Sequence, residues 1–177
     1  MTEKLKKVRK TVKQKNQELE KENKKIRNYG MKMQAFPTRE QEQKFLEFFG
    51  GHRFAFNFFL AEKIEVYQNT GETLGMGEFK KAFNNLKDHP HFEWMKKIDK
   101  FALETGIEQV EEAYKRFFKG LAKFPKFKSK HVSKKTYTTK ETNGNIAFDV
   151  ENMKVKLPKV GWVKVGLSKK QIKQIYN

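Results

Sequence analysis

Hydrophobic residues recur at helical spacing through the middle of the chain. Thr38 with Gln41 three residues later forms a capping-box pattern directly after Pro37, so a helix is expected to begin there. The pair Gly50–Gly51 is predicted to end that helix. Phenylalanine stripes continue the helical pattern beyond it, and Asp99 has the position of an N-cap. Four helices are therefore predicted, over residues 38–49, 52–69, 77–87 and 99–123.

The hydrophobic period changes from helical to two after about residue 136. The sequence TNGN at 142–145 is typical of a tight turn, and residues 153–157 alternate apolar side chains with lysine. This pattern predicts an α+β fold, a small antiparallel β-barrel interrupted by a helical bundle that is inserted between its first and second strands. Lys154, Lys156 and Lys164 are expected to point outward. The predicted strands are 29–36, 136–140, 145–150, 153–157 and 162–166.

The N-terminal residues 3–27 contain neither proline nor glycine and are rich in lysine, which favours a basic helix. A spacing of three and four residues runs through Leu5, Val8, Val12, Lys15, Leu19, Glu22 and Ile26. Two of these positions are charged, so a coiled coil, with a homodimer through residues 5–26, competes with a solvated arm that orders only on a partner.

The net charge of +18 is unevenly placed. Residues 1–28 carry +7, residues 119–140 carry +8 with no acidic residue, and residues 141–177 carry +4. Residues 29–118 carry −1. Phe124, Phe127 and Tyr137 lie within the most basic segment. Concentrated positive charge of this kind is typical of proteins that bind phosphate backbones, and interleaved aromatic side chains can stack on unpaired bases.

Composition excludes several kinds of chemistry. The chain has no cysteine, so thiol catalysis, disulfides and cysteine-based zinc sites are excluded. The four histidines, at 52, 89, 91 and 131, have no pattern of metal ligands, and no cofactor is expected. The sequence has no long apolar run and no signal peptide, and its basic segments lack a wide apolar face. A cytoplasmic location without membrane binding is therefore expected.

Several short motifs resemble the TnpB proteins, RNA-guided nucleases of bacterial insertion sequences that are related to small type V CRISPR effectors. Gly51, Arg53, Phe54, Asn57 and Leu60, followed by Tyr67, match a signature near the start of that family. Further matches occur in the same order, in FPT at 36–38 with Gln41, DKFAL at 99–103, FFKG at 117–120, FPKFKSK at 124–130 and LPKVGWVK at 157–164. The resemblance covers roughly residues 29–166.

The resemblance implies an architecture that agrees with the periodicity: a wedge barrel interrupted by a helical recognition lobe. The implied boundaries are a basic arm at 1–28, the wedge at 29–37 and 136–166, the lobe at 38–125, a basic linker at 126–135 and a tail at 167–177. In the family, a RuvC-like nuclease domain with a zinc-binding insertion follows, and no match to either is found. Asp88, Asp99 and Asp149 do not match the family's catalytic carboxylates. We therefore expect the chain by itself to cut nothing.

The family reads a short DNA motif beside its target and holds a guide-RNA scaffold. Two positions depart from its pattern: Met76 stands where relatives have an aromatic residue, and Glu104 stands where they have glutamine. A carboxylate accepts hydrogen bonds but cannot donate them, so the motif that is read is different or the reading is lost. By position, the DNA-motif contacts would be Met76, Lys80, Lys100, Phe101, Glu104, Thr142 and Asn143.

The predicted function is a non-catalytic, TnpB-type module that binds a guide-RNA scaffold and target DNA. The alternatives are half of a split nuclease that needs a RuvC-bearing partner, a coiled-coil oligomerising protein, and an inert remnant. Arg53 with Asn57 suggests either an RNA contact or a buried polar pair. The expected RNA or phosphate contacts are Arg53, Lys119, Lys123, Lys126, Lys128, Lys130, Lys134, Lys135, Lys154, Lys156 and Lys164.

Overall fold

The computed structural model describes residues 11–22 and 30–176, which divide into two units between Lys32 and Met33. In the first unit, helix α1 spans Val12–Leu19, and a 3-10 turn follows at Glu20–Glu22. The Thr11 hydroxyl accepts from the Gln14 backbone N–H at 3.3 Å, which caps the helix. Part of the predicted arm is therefore helical, while seam positions 5, 8 and 26 lie outside the described residues.

Helix α2, Arg39–Thr70, is one continuous helix of 32 residues. It begins at the predicted capping box, where the Gln41 N–H donates to the Thr38 hydroxyl at 3.3 Å. The prediction that it ends at Gly50–Gly51 is wrong. A Cβ at Gly51 would lie 3.0 Å from Ile98 Cγ2, so the glycine makes room for close packing and does not break the helix. The helix ends instead at Gly71, whose φ is +73°.

Helix α3 spans Met76–Asn85, and 3-10 turns follow at Leu86–Asp88 and Pro90–Lys97. Helix α4 spans Lys100–Phe118, and the Asp99 carboxylate accepts from the Phe101 N–H at 3.1 Å, as expected of an N-cap. The helix is shorter than predicted because Gly120, with φ of +68°, turns the chain away.

Helices α2 and α4 pack closely where α4 contains Gly106. A Cβ at this position would lie 2.5 Å from the backbone oxygen of His52, so only glycine permits this approach. The core formed around this contact is rich in phenylalanine, as the sequence predicts. Its fully buried large side chains include Phe48, Phe59, Leu60, Leu103, Ile107 and Val110.

Four antiparallel strands form one sheet in the order β1-β4-β3-β2. The prediction of an α+β fold with an antiparallel sheet is confirmed. Within the described residues, β1 and β2 are the outer strands and the sheet is open, so the predicted closed barrel is not seen. Helices α2 to α4 lie between β1 and β2 along the chain. The strands are β1 Gln34–Phe36, β2 Ala147–Asp149, β3 Lys154–Leu157 and β4 Gly161–Gly166.

Hydrogen bonds from two side chains, Gln41 and Lys159, attach the sheet to the helical part. The Gln41 amide donates to the Trp162 carbonyl at 2.8 Å. The Lys159 ammonium, in the turn between β3 and β4, donates to the carbonyl of Ile98 at 2.8 Å and also to that of Lys96. Helix α5, Lys169–Tyr176, follows the sheet. None of the helices in the described ranges is long and apolar enough to cross a membrane.

Candidate nucleic-acid interface

The basic segment after α4, residues 119–140, makes side-chain contacts with both long helices, α2 and α4. The Asn57 side chain on α2 accepts from the Lys128 N–H at 2.8 Å and donates to the Lys128 carbonyl at 2.9 Å. The Lys128 backbone thus donates one hydrogen bond and accepts another, as it would from a neighbouring β-strand, but its partner is a side chain. Asn57 therefore positions the basic segment and is bonded to it, not to Arg53 as the buried-pair interpretation expected.

The Lys128 ammonium is already engaged by the protein. It donates to the side-chain oxygen Oε1 of Gln109 at 2.6 Å and lies 4.0 Å from the centre of the Phe56 ring. Burial lowers the pKa of Lys128. Gln109 also lies 3.1 Å from His52 Nε2, so the three side chains form one network between α2, α4 and the segment. Of the predicted phosphate contacts, Lys128 thus has a clear structural role.

Residues 136–140 form no strand, contrary to prediction. Their partners are helices: the Tyr137 ring packs edge-on against Phe48 with 5.4 Å between centroids. The Thr105 hydroxyl on α4 lies 3.3 Å from the Thr138 carbonyl. Burial raises the pKa of Tyr137 to about 12, and the nearby Asp99 adds to this shift. The threonine-rich pattern predicts a strand of the sheet, whereas in the structure this segment packs against helices α2 and α4.

At the end of this segment, one carboxylate joins three elements. Glu108 on α4 lies 3.0 Å from the Lys80 ammonium on α3 and 3.0 Å from that of Lys140. Burial by itself raises the pKa of Glu108, but hydrogen bonds and positive charge from Lys140 and Lys80 outweigh it, and the pKa is lowered. Sequence reasoning named Lys80 and missed both Glu108 and Lys140 as members of a site.

A phenylalanine ring completes this cluster. The ammonium groups of Lys100 and Lys140 lie 5.7 and 5.9 Å from the centre of the Phe101 ring. Lys100 also pairs with Glu104 at 3.5 Å. We call the connected set the motif patch, and its members are Lys80, Lys100, Phe101, Glu104, Glu108 and Lys140.

The other predicted DNA-motif residues border this patch. Met76, the first residue of α3, shares with Glu108 and Lys140 the wall of an open cavity of about 460 Å³. Thr142 and Asn143 are exposed in the turn that follows Lys140. There Asn143 has φ of +55°, and the Asn145 side-chain oxygen Oδ1 accepts from the Thr142 N–H at 2.7 Å. Seven residues that are scattered from position 76 to position 143 thus belong to α3, α4 and one turn.

A lysine outside the predicted set belongs to the same neighbourhood. Burial lowers the pKa of Lys87, with Glu104 acting to raise it and Lys159 and Lys100 acting to lower it. Several cations near one partly buried carboxylate produce a positive field with fixed local geometry. Such a field favours phosphate oxygens, and the ring of Phe101 offers an apolar surface beside them.

The predicted RNA contacts divide into three groups by their surroundings. Arg53, Lys134 and Lys135 border a small hollow beside His52 and Lys128. A second group is exposed in the loop after α4, and a third lies on the sheet. The exposed loop group consists of Lys119, Lys123, Lys126 and Lys130.

The sheet carries its lysines on one face, as predicted. In the register of the strands, Lys164 pairs with Lys154 and with Phe36, and Lys156 pairs with Trp162. Phe36 is 53% exposed and Trp162 is 44% exposed, so aromatic and cationic side chains share this surface. We call it the sheet face. A surface of this composition can stack bases and neutralise phosphates together.

Carboxylates and histidines show no arrangement for metal chemistry. The Asp149 carboxylate accepts from the backbone and side-chain nitrogens of Asn152 at 3.0 and 2.9 Å, which closes the turn between β2 and β3. His52 is buried, with Nδ1 2.9 Å from the Ala102 carbonyl. Among residues 11–22 and 30–176, no group of three histidine, aspartate or glutamate side chains could hold a metal ion.

Residues 27–72 match the family model HTH_OrfB_IS605, which is described as a helix-turn-helix domain. Together with the basic surfaces, this match supports a nucleic-acid-binding module of the kind associated with IS605 transposons. The described part of the matched region consists of β1 and the continuous helix α2 up to its C-terminal turn, with no turn between two helices. The recognition-helix geometry that the family name suggests is therefore not the basis for the interface described above.

Two relatives extend the match. The chain is 29% identical over 133 residues to InsQ of Escherichia coli (strain K12), which is named an RNA-guided DNA endonuclease. It is also 29% identical over 109 residues to the virulence protein VsdF of Salmonella dublin. The first match covers 75% of this chain and 32% of InsQ, the second 56% of this chain and 92% of VsdF. The resemblance to the N-terminal part of TnpB proteins is confirmed.

Proposed function

We propose that the chain binds structured RNA and a short DNA motif, in the manner of the recognition and wedge regions of a TnpB-type RNA-guided nuclease. The observation that carries this proposal is the motif patch, where residues from α3, α4 and the segment before the 142–145 turn converge around Glu108. Similarity to InsQ over 75% of the chain supports it. The nuclease activity named for InsQ is not needed for this binding function.

In this proposal, helices α2 to α4 form the recognition lobe and the sheet forms the wedge. DNA enters at the motif patch, where Lys80, Lys100 and Lys140 bind phosphate or base-edge oxygens and Phe101 contacts a base or sugar. Guide RNA lies on the sheet face, where three lysines outnumber the carboxylate of Asp149 that pairs with Lys154, and along the exposed loop lysines. The two nucleic acids thus use different surfaces.

Salt dependence tests the electrostatic part of the proposal. Each phosphate neutralised on duplex DNA releases counterions, so log K falls against log salt with a slope of about −0.9 per phosphate. We expect a steep slope for both DNA and RNA by fluorescence anisotropy titration. A flat response between low and moderate salt would contradict phosphate binding altogether.

The division between surfaces can be tested by matched variants. Lys154→Gln with Lys164→Gln should weaken binding of structured RNA more than binding of a DNA duplex. Lys80→Gln with Lys140→Gln should do the reverse, with the same loss of two charges. Equal losses in both assays would refute separate RNA and DNA surfaces, while leaving nucleic-acid binding in place.

A second candidate, half of a split nuclease, is favoured by exposed apolar side chains on the sheet. Phe36 is 53%, Trp162 44% and Phe148 43% exposed. A large exposed apolar surface can mark a site of contact with another protein. A RuvC-bearing protein could cover these side chains. Co-purification from cells, followed by mass spectrometry, should then recover such a protein with the wild-type chain and lose it with Trp162→Lys. Recovery of RNA alone would favour the binding module.

A further inference from the structure

An aromatic pocket lies between the C-terminal ends of α2 and α4, and none of the residues that line it is among the DNA or RNA contacts predicted above. Its volume is about 620 Å³, within the range of small-molecule sites, about 300–1,000 Å³. We call it the aromatic pocket, and its principal walls are Tyr67, Gln68, Tyr114, Phe117, Phe118 and Phe124.

The rings of the pocket hold one another in place. Tyr114 stacks on Phe118 with centroids 6.1 Å apart and an interplanar angle of 26°. Phe124 meets Tyr114 and Phe117 edge-on, at 5.5 and 5.4 Å. Such offset and edge-to-face pairs are the favoured geometries of aromatic side chains, so the wall is preorganised.

One side of the pocket carries a buried ion pair. The Lys63 ammonium lies 2.8 Å from the Glu111 carboxylate and 2.8 Å from the Leu74 carbonyl, and 5.5 Å from the centre of the Tyr114 ring. These contacts engage the ammonium within the protein. The pocket therefore offers π-faces to a ligand, with the polar side chains of Gln68 and Thr73 at its edge.

Two walls remain open to solvent although they are apolar or aromatic. Phe118 is 78% exposed and Tyr67 is 62% exposed, and both would gain by burial against a partner. The chain beside them is strongly basic, since residues 115–130 contain seven lysine or arginine residues and no acidic residue. A second copy would bring the same charges together within a protein of net charge +18. An occupant must therefore combine flat apolar faces with negative charge.

Single-stranded nucleic acid has both properties, because its unpaired bases have exposed π-faces and its backbone is anionic. We propose that the aromatic pocket binds unpaired bases of a single strand, while Lys119 and Lys123, exposed beside its walls Phe118 and Phe124, bind the adjoining phosphates. Gln68 and Thr73 supply donors and acceptors for base edges. This inference rests on the proposed nucleic-acid function and adds a site for unpaired bases to it.

The test compares a labelled oligouridine strand with an RNA duplex of the same length, by anisotropy titration of the full chain. The variant Tyr67→Leu with Phe118→Leu keeps apolar bulk and removes two rings. Base–aromatic stacking predicts about a tenfold or greater loss for the single strand, and less than about a twofold change for the duplex. Both side chains are largely exposed, so the fold should tolerate these changes.

Two further variants serve as controls. Phe127→Leu removes a ring that is 58% exposed in the same basic stretch but lies at a different hollow, beside Arg53, and should weaken single-strand binding less than the double variant does. Phe118→Tyr keeps a ring in the aromatic pocket and should bind like the wild type. A fluorescent base analogue within the strand should be quenched by the wild type and less by the leucine variant.

Each outcome decides the question. Equal weakening of single strand and duplex, or an effect of Phe127→Leu as large as that of the double variant, would overturn the pocket proposal while nucleic-acid binding survives. Failure of the wild type to bind either RNA with salt dependence would remove the proposed function and this inference together. A wild-type dimer in sedimentation that the leucine variant dissociates would identify a second copy as the occupant.

Discussion

Glutamine at position 108 keeps the length of the side chain and removes its charge, so Glu108→Gln releases Lys80 and Lys140 from their ion pairs. In the folded protein these ammonium groups lie 3.0 Å from the carboxylate, which would compete with any phosphate that approaches them. The exposed fractions of the Lys80, Glu108 and Lys140 side chains are 24%, 35% and 43%, so solvent screens both pairs. Each pair then stabilises the fold by only about 0.5 kcal/mol.

From this magnitude we expect Glu108→Gln to lower the stability of the fold and to raise the affinity for DNA. The free energy of unfolding should fall by about 1 kcal/mol for the two pairs. DNA binding no longer has to break the pairs, so the same amount appears as about a fivefold gain in affinity at moderate salt. If both freed ammonium groups contact phosphates, the slope of log K against log salt should become steeper by up to about 1.8.

The assay is anisotropy titration of duplex DNA at several salt concentrations, together with urea unfolding of each variant. Glu112→Gln is the matched control, because Glu112 is one turn further along α4, borders the same cavity, and has the same charge. A gain that is equal in both variants would reflect net charge alone. Unchanged or weaker DNA binding by Glu108→Gln would refute the idea that its carboxylate competes with phosphate at the motif patch.

Three further predictions concern the scaffold that positions these surfaces. Gly106→Ala should lower the free energy of unfolding by several kcal/mol in urea titrations, because its Cβ would meet the His52 backbone oxygen at 2.5 Å, whereas Gly77→Ala, with nothing within 4 Å, should cost nothing. Asn57→Ala should cost about 1–3 kcal/mol and increase proteolysis after Lys128, whose backbone groups lose both partners; unchanged cleavage would contradict the clamp. Burial lowers the pKa of His52 below its ordinary 6.5, so its contribution to stability should be complete above that pH and be lost as the pH falls toward the folded-state pKa. Urea unfolding across this range should show a smaller pH slope for His52→Gln, and an equal slope would assign the dependence to other groups.

Local signals in the sequence located most elements correctly. The capping box of Thr38 and Gln41, the N-cap Asp99 and the turn at 142–145 act through neighbouring residues, so they could be read without the fold. The lysines on the sheet face followed from alternation, since strand residues two apart share a face. The TnpB motifs named Lys80, Lys100 and Phe101, which the structure brings into one patch.

Long-range packing explains the errors. Gly51 was interpreted as a helix end because glycine destabilises helices by about 1 kcal/mol, and only its contact with Ile98 shows why it is tolerated there. Segment 136–140 has residue types that suit a strand, which predicts a place in the sheet, whereas Tyr137 packs on helix α2. Glu108 gave no signal, since a single glutamate on an amphipathic helix looks like solvated surface.

The sequence alone determined the quantities that depend on composition and near neighbours: the large positive charge, its concentration outside residues 29–118, the caps, and the alternation in the strands. Tertiary structure decided which charges remain available. It showed that Lys128 is engaged by Gln109 and Phe56, that Glu108 lies between two lysines, and that five aromatic rings enclose a pocket. These contacts depend on how the helices cross, and no local sequence pattern specifies that crossing. Side chains that are distant along the chain compete for the same partners only once the chain is folded.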